Sequence, residues 1–112
     1  YEIAGIDPRD LDVVELHDAS SPSELILYEK LGLCDAGEGP RMLREGLTLP
    51  TGKVAVNSGG GLLSRGHPVG ATGVRILTTL LREMRRRQAT YGLETMCIGG
   101  GQGLTAIFKR VA

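Results

Sequence analysis

The chain has 112 residues, enough for one small domain with a modest core. Its 13 basic and 13 acidic side chains cancel, so net charge gives no support to nucleic-acid binding. The two cysteines, Cys34 and Cys97, fit no zinc or redox spacing, and no apolar run approaches the roughly 18 residues of a membrane span.

No basic-then-apolar leader is visible either, so a cytoplasmic setting is the expectation. Glycine supplies 17 residues and clusters at 59–61, 66–73 and 99–103. The opening "YEIAGIDPRD" reads as the end of an element, which makes the chain an expected piece of something longer. The β-branched run in "LDVVELH" (11–17) predicts a buried strand. Ser21, Pro22 and Glu24 then resemble an N-cap, a first-turn proline and the far member of a capping box. They predict a helix over 22–31, stopped by Gly32. Residues 33–52 read as a long connection with a short helix at "PRMLRE", and long connections in compact domains are often functional.

"KVAVN" (53–57) predicts a second strand, followed by the glycine run. Pro68 suits a first helical position, and Gly70, Gly73, Val74, Leu77, Leu80, Leu81 and Met84 recur at helical spacing. Arg82, Arg85, Arg86 and Arg87 gather where the helix dipole favours cations, and they read as a solvated helix end. "LETMCI" (93–98) predicts a strand, "GGGQG" a tight turn and "LTAIFKR" (104–110) a last strand. The order β-α-β-α-β-β implies a layered α/β unit, its sheet mostly parallel and ending in a hairpin.

The glycine clusters invite a phosphate-loop reading, which fails in detail. Gly61 and Gly66 have the Walker gap, but His67 and Pro68 stand where lysine and a hydroxyl residue are required. Neither cluster gives G-x-G-x-x-G between a strand and a helix. What survives is His67, just before a predicted helix whose positive end disfavours imidazolium. A neutral ring there suits polarising a carbonyl or accepting a thiol proton. Cys97 lies near the end of a strand, two residues before the run Gly99, Gly100 and Gly101, where exposed backbone amides can stabilise a developing oxyanion. His17 closes a strand before a helix cap. Each also has a structural reading: a packed turn for His67 and His17, a small buried hydrophobe for Cys97.

Taken together, "NSGGGLLSRGHPVGATGVRIL" and "CIGGGQG" resemble the two C-terminal signatures of the thiolase family. "VVELHDASSPSELILYEKLGLC" resembles the segment where common thiolases have Asn-Glu-Ala-Phe and the sterol-carrier-protein-type branch has His-Asp. The resemblance implies a thiolase-like α-β-α half-domain spanning residues 1–112, with the N-terminal half and its nucleophilic cysteine lying elsewhere. It implies cleavage of a 3-oxoacyl-CoA by CoA, or the reverse condensation, through an acyl-cysteine. In that scheme His67 activates the nucleophile and helps hold a thioester oxygen. Cys97 moves the proton at the acetyl α-carbon, Gly99 contributes an oxyanion-hole amide, and His17 helps form the other oxyanion site. CoA and acyl-CoA enter as substrates, with no bound cofactor or metal.

The implied partners are the N-terminal half, further copies of the full-length protein, and in some relatives a small zinc-ribbon/OB-fold protein. Two departures stand out: Ser20 replaces the branch's usual Phe, and "CIGGGQG" is written as in degradative thiolases. Alternatives on the same fold are a β-ketoacyl-synthase-type enzyme or a retro-aldol lyase. Cys97 speaks against both, since the first usually has histidine or asparagine there and Claisen cleavage needs that acid. A non-catalytic, free-standing fragment is the remaining alternative.

Overall fold

The computed structural model describes residues 1–111. Alternation along the first strand, β1 (Val13–Glu15), decides the layering. Val14 and the following Leu16 join one buried cluster with Leu11, Tyr28, Met42, Val54, Val56 and Leu93. Val13 joins the opposite cluster with Ala55, Leu80, Met84 and Ala89. Successive side chains of a strand face opposite ways, so a sheet between these clusters is covered on both sides.

The sheet has the order β2-β1-β3-β4, with β2 at Ala55–Val56, β3 at Tyr91–Gly99 and β4 at Gln102–Lys109. β1 runs parallel to both β2 and β3, while β3 and β4 form an antiparallel hairpin. This is the mostly parallel, hairpin-ended α/β sheet that the element order predicts. Gly100 and Gly101 make the hairpin turn, both at positive φ (58° and 78°), a conformation that favours glycine at both central positions.

Helices α1 (Ser21–Lys30) and α2 (Gly39–Arg44) cover one face, and α4 (Thr72–Arg87) covers the other. Four of the five buried residues of α4 (Thr72, Ile76, Leu80 and Met84, the fifth being Glu83) recur every fourth position, one stripe facing the sheet. Burying each such aliphatic side chain contributes about 1.5–3 kcal/mol. Opposite them Gly92 leaves no room: a Cβ there would sit 3.0 Å from Leu80 Cδ1 and 3.1 Å from Met84 Cγ.

Three local expectations are corrected. The long helix begins at Thr72, not Pro68. Residues 68–71 form a turn in which the Ala71 and Thr72 amides both donate to the Pro68 carbonyl, at 2.8 and 2.9 Å. The N-cap of α1 is Ser20 rather than Ser21, and Glu24 closes no capping box. Its carboxylate instead accepts from the Tyr28 hydroxyl and, at 3.2 Å, from Asn57 Nδ2. The glycine run is not all loop, since Gly61–Arg65 forms a short helix, α3.

The strand bounds also differ from expectation. β1 ends early because the Leu16 amide leaves the ladder for Asn57 Oδ1, at 2.9 Å. Arg82 and Arg85 are exposed, as a solvated helix end requires. Arg87 instead clasps the Pro50 and Gly52 carbonyls, tying α4 to the loop before β2.

Candidate active site at the ends of β1 and β3

Every predicted site residue lies just beyond β1, in the α3–α4 connection, or in the last residues of β3. His17 follows β1, which runs parallel to β3 with Glu15 opposite Glu94. Two residues beyond Glu15, the chain meets the far part of β3: the Cys97 amide donates to His17 Nδ1 at 2.9 Å. That bond joins residues 80 positions apart. The ring of His67 packs edge-on against His17, centroids 5.0 Å apart and planes at 62°. His17 therefore touches both other candidates.

The bond fixes the chemistry of His17. A nitrogen that accepts an amide hydrogen carries no proton, so the neutral ring holds its hydrogen on Nε2. Burial lowers the His17 pKa, the neighbouring His67 lowers it further, and Asp18 opposes both. The ring thus favours its neutral form. Its Nε2 is buried without a hydrogen-bond partner among the described residues. An unpaired buried donor is costly unless a ligand supplies the acceptor, and this one suits a carbonyl or enolate oxygen.

Asp18 links the two histidines. It is almost wholly buried, 2% exposed, and its carboxylate accepts from the Leu62 amide at 2.6 Å and more weakly from Leu63 at 3.4 Å. It thereby caps α3 from 44 residues away, and α3 leads directly through Gly66 to His67. A side chain at Gly61 would occupy the space of that carboxylate. Arg75 holds the other side of the connection, donating to the Gly66 carbonyl at 2.8 Å. His67 Nδ1 lies 2.7 Å from Thr72 Oγ1 at the start of α4.

Cys97 is exposed and free. Together with His17 it lines an open cavity of about 480 Å³ with Ala19, Ile26, Leu27 and Met96. A break in the β3–β4 register lies between Cys97 and Gly99, and Gly99 has φ 131°. Cys34 is far less suited to act as a nucleophile. It packs against the core, and burial raises its pKa, as do the carboxylates of Glu29, Glu38 and Asp35. Among the described residues no group of three His, Cys, Asp or Glu side chains is arranged to hold a metal ion. No described helix is long and apolar enough to cross a membrane.

Sequence reasoning missed Asp18, Asn57 and Thr72, and it missed the buried carboxyls Glu15 and Glu94. The last two face each other across β1 and β3. Burial pushes Glu15 up to about 7. The Ser58 amide, Arg75 and the Gly59 amide hold it down, while Asp18 adds to the rise. Burial likewise raises Glu94. The one visible signal was the acidic residue inside "VVEL", a charge where a buried strand calls for none.

A mostly parallel sheet between helical layers, with two histidines and a cysteine meeting where β1 and β3 end, defines an α/β unit of the thiolase type. The sequence profile of the thiolase C-terminal domain-like family matches residues 1–111, and the chain belongs to that family. It is 44% identical over 108 residues to benzoylsuccinyl-CoA thiolase subunit BbsB of Thauera aromatica, a match covering 90% of this chain and 28% of that protein. Against the 3-ketoacyl-CoA thiolase of Shewanella sp. strain ANA-3 it is 42% identical, over 96% of this chain and 24% of the relative. Against sterol carrier protein 2 of Oryctolagus cuniculus the identity is 46%, over 97% of this chain and 21% of the relative. The chain thus spans less than a third of the length of these relatives.

Proposed function

We propose that this chain is the C-terminal catalytic part of a thiolase that cleaves 3-oxoacyl-CoA with CoA, or joins acyl-CoAs in reverse. The observation that carries the reading is the contact set of His17. One ring binds the Cys97 backbone and packs on His67, so three motifs far apart in sequence form one site. The nucleophilic cysteine comes from the preceding part of the complete protein. CoA is a substrate, and the chemistry calls for no resident cofactor or metal.

His67 takes the proton of that cysteine, and the thiolate attacks the keto carbon of the substrate. The oxyanion that forms is met by the Gly99 amide. The bond between keto carbon and α-carbon then breaks, and its electron pair moves onto the departing acetyl-CoA as an enolate. His17 Nε2–H donates to the thioester oxygen of that enolate. The Cys97 thiol protonates the α-carbon, and acetyl-CoA leaves. The Cys97 thiolate then takes the proton of CoA, whose thiolate attacks the acyl-cysteine; the shortened acyl-CoA leaves, and the released cysteine takes its proton back from His67. Similarity to a benzoylsuccinyl-CoA thiolase subunit and to a 3-ketoacyl-CoA thiolase supports this reaction class.

Replacing Cys97 by Ala in the complete enzyme tests the assignment. Loss of a positioned acid/base group lowers the rate on the order of 10²–10⁴-fold. Thiolysis of acetoacetyl-CoA near the wild-type rate would show that Cys97 is not the acid.

A further inference from the structure

We propose that Thr72 is a positioning residue that sets the tautomer of His67: it accepts a hydrogen bond from Nδ1–H and leaves Nε2 as the base. The proposal rests on the thiolase reading for its kinetic consequence, while the tautomer itself stands on geometry. The Thr72 side chain is fully buried at the first residue of α4. Its Oγ1 has two polar neighbours, His67 Nδ1 at 2.7 Å and the Pro68 carbonyl oxygen at 3.0 Å.

A hydroxyl has one hydrogen to give. If it went to His67 Nδ1, Thr72 Oγ1 and the Pro68 oxygen would face each other at 3.0 Å with no hydrogen between two acceptors. The Pro68 carbonyl carries no hydrogen, so only donation by Thr72 makes that contact attractive. Thr72 must then accept at its other neighbour, and the hydrogen of that bond comes from His67 Nδ1. The neutral ring has a single N–H, so Nε2 is left with a lone pair.

The two histidines consequently present opposite faces of the same chemistry. His17, whose Nδ1 accepts from the Cys97 amide, carries its hydrogen on Nε2. His67, whose Nδ1 donates to Thr72, offers Nε2 as an acceptor. One is a hydrogen-bond donor for an oxygen and the other a base for a thiol. When the cysteine proton moves to His67 Nε2, the products are a thiolate and an imidazolium protonated on both nitrogens. The bond to Thr72 persists through that step, because Nδ1 keeps its hydrogen.

The test compares wild type, Thr72→Val and Thr72→Ser in the complete protein. Long-range nitrogen–proton NMR of ¹⁵N-histidine-labelled protein reads the tautomer. The pH dependence of kcat/KM for acetoacetyl-CoA thiolysis reads its consequence. Expected are an Nδ1–H tautomer for His67 in wild type and Thr72→Ser, and its loss in Thr72→Val. With it kcat should fall at least about tenfold, with a displaced pH profile and a KM within about threefold, while serine restores the wild-type profile. An Nε2–H tautomer for His67 in the wild type overturns the proposal. So does Thr72→Val with wild-type kcat and an unmoved profile. A wild type that cleaves no 3-oxoacyl-CoA would sink the thiolase reading, and the NMR result would still decide the role of Thr72.

Discussion

Removing the Asp18 carboxylate should loosen the helix that delivers His67 while leaving both histidine side chains in place, although it also removes the charge that opposes the lowering of the His17 pKa. In Asp18→Ala the Leu62 amide loses its acceptor at 2.6 Å, and Leu62 is only 4% exposed, so water does not readily replace it. The longer bond to Leu63, at 3.4 Å, adds little. A hydrogen bond to a charged group contributes about 1.5–3 kcal/mol, and loss of a helix cap costs about 1 kcal/mol in typical cases. These describe one interaction from two sides, so a combined loss of about 2 kcal/mol is expected. Read locally, that is roughly a 30-fold rise in the rate at which the segment opens and exchanges its amides. Hydrogen exchange of the complete protein, followed by mass spectrometry over residues 61–67, measures it directly. Asp18→Asn keeps an acceptor but loses the charge, and should fall between wild type and Ala. Thiolysis should decline in the same order, since α3 ends one residue before the Gly66–His67 step. Exchange of Asp18→Ala within about threefold of wild type would refute the capping of α3 by Asp18.

Two further predictions concern the sheet. Gly92→Ala should destabilise the protein by about 1–3 kcal/mol, because the added Cβ intrudes on Met84 and Leu80 in a packed layer. A shift of the denaturation midpoint shows it, and Gly92→Ala combined with Met84→Ala should lose less than the sum of the two single losses. Glu15 predicts a pH dependence. Its native pKa is raised to about 7 from the model-compound value of 4.5, so the native state holds the proton more tightly than the unfolded chain. The stabilisation is fully present below about pH 4.5 and is lost as pH rises through about 7. Stability of Glu15→Gln, measured by denaturation from pH 4.5 to 7.5, should lack this decline; a slope equal to wild type would mean another group causes it.

Much of the fold was legible because local signals agreed with it. The β-branched run at 11–17 marks β1, the helical spacing of Val74, Leu77, Leu80, Leu81 and Met84 marks α4, and the triple glycine marks the hairpin turn, although Val74 and Leu81 are exposed while Ile76, outside that set, is buried. Where tertiary contacts overrule local signals, the sequence misleads. Pro68 has the chemistry of a first helical residue, yet its carbonyl closes a separate turn and the helix waits until Thr72. α3 has five residues and is capped by Asp18, 44 positions earlier, so nothing within its own window announces it. Ser21 and Glu24 have the spacing of a capping box, but Glu24 turns to Tyr28 and Asn57 instead.

The site divides in the same way. His17, His67 and Cys97 were legible as parts of motifs, because residue type and flanking glycines survive in the one-letter string. Their pairing was not. The Cys97 amide reaches His17 Nδ1 only because β1 and β3 lie side by side, a relation set by folding and not by spacing. Asp18 and Thr72 escaped for a different reason. Both are common polar residues whose importance comes from being buried among backbone amides or beside an imidazole.

The most direct test of the account is the intact mass of the complete protein after brief exposure to acetoacetyl-CoA, with peptide mapping of the acylated cysteine, in wild type and in His67→Ala. The account predicts that the wild type gains the mass of one acetyl group on a cysteine outside residues 1–112, and that free CoA discharges it. His67→Ala should gain that mass far more slowly. A wild type that never acquires an acyl group, an acyl group found on Cys34 or Cys97, or a His67→Ala protein acylated as fast as wild type would contradict it.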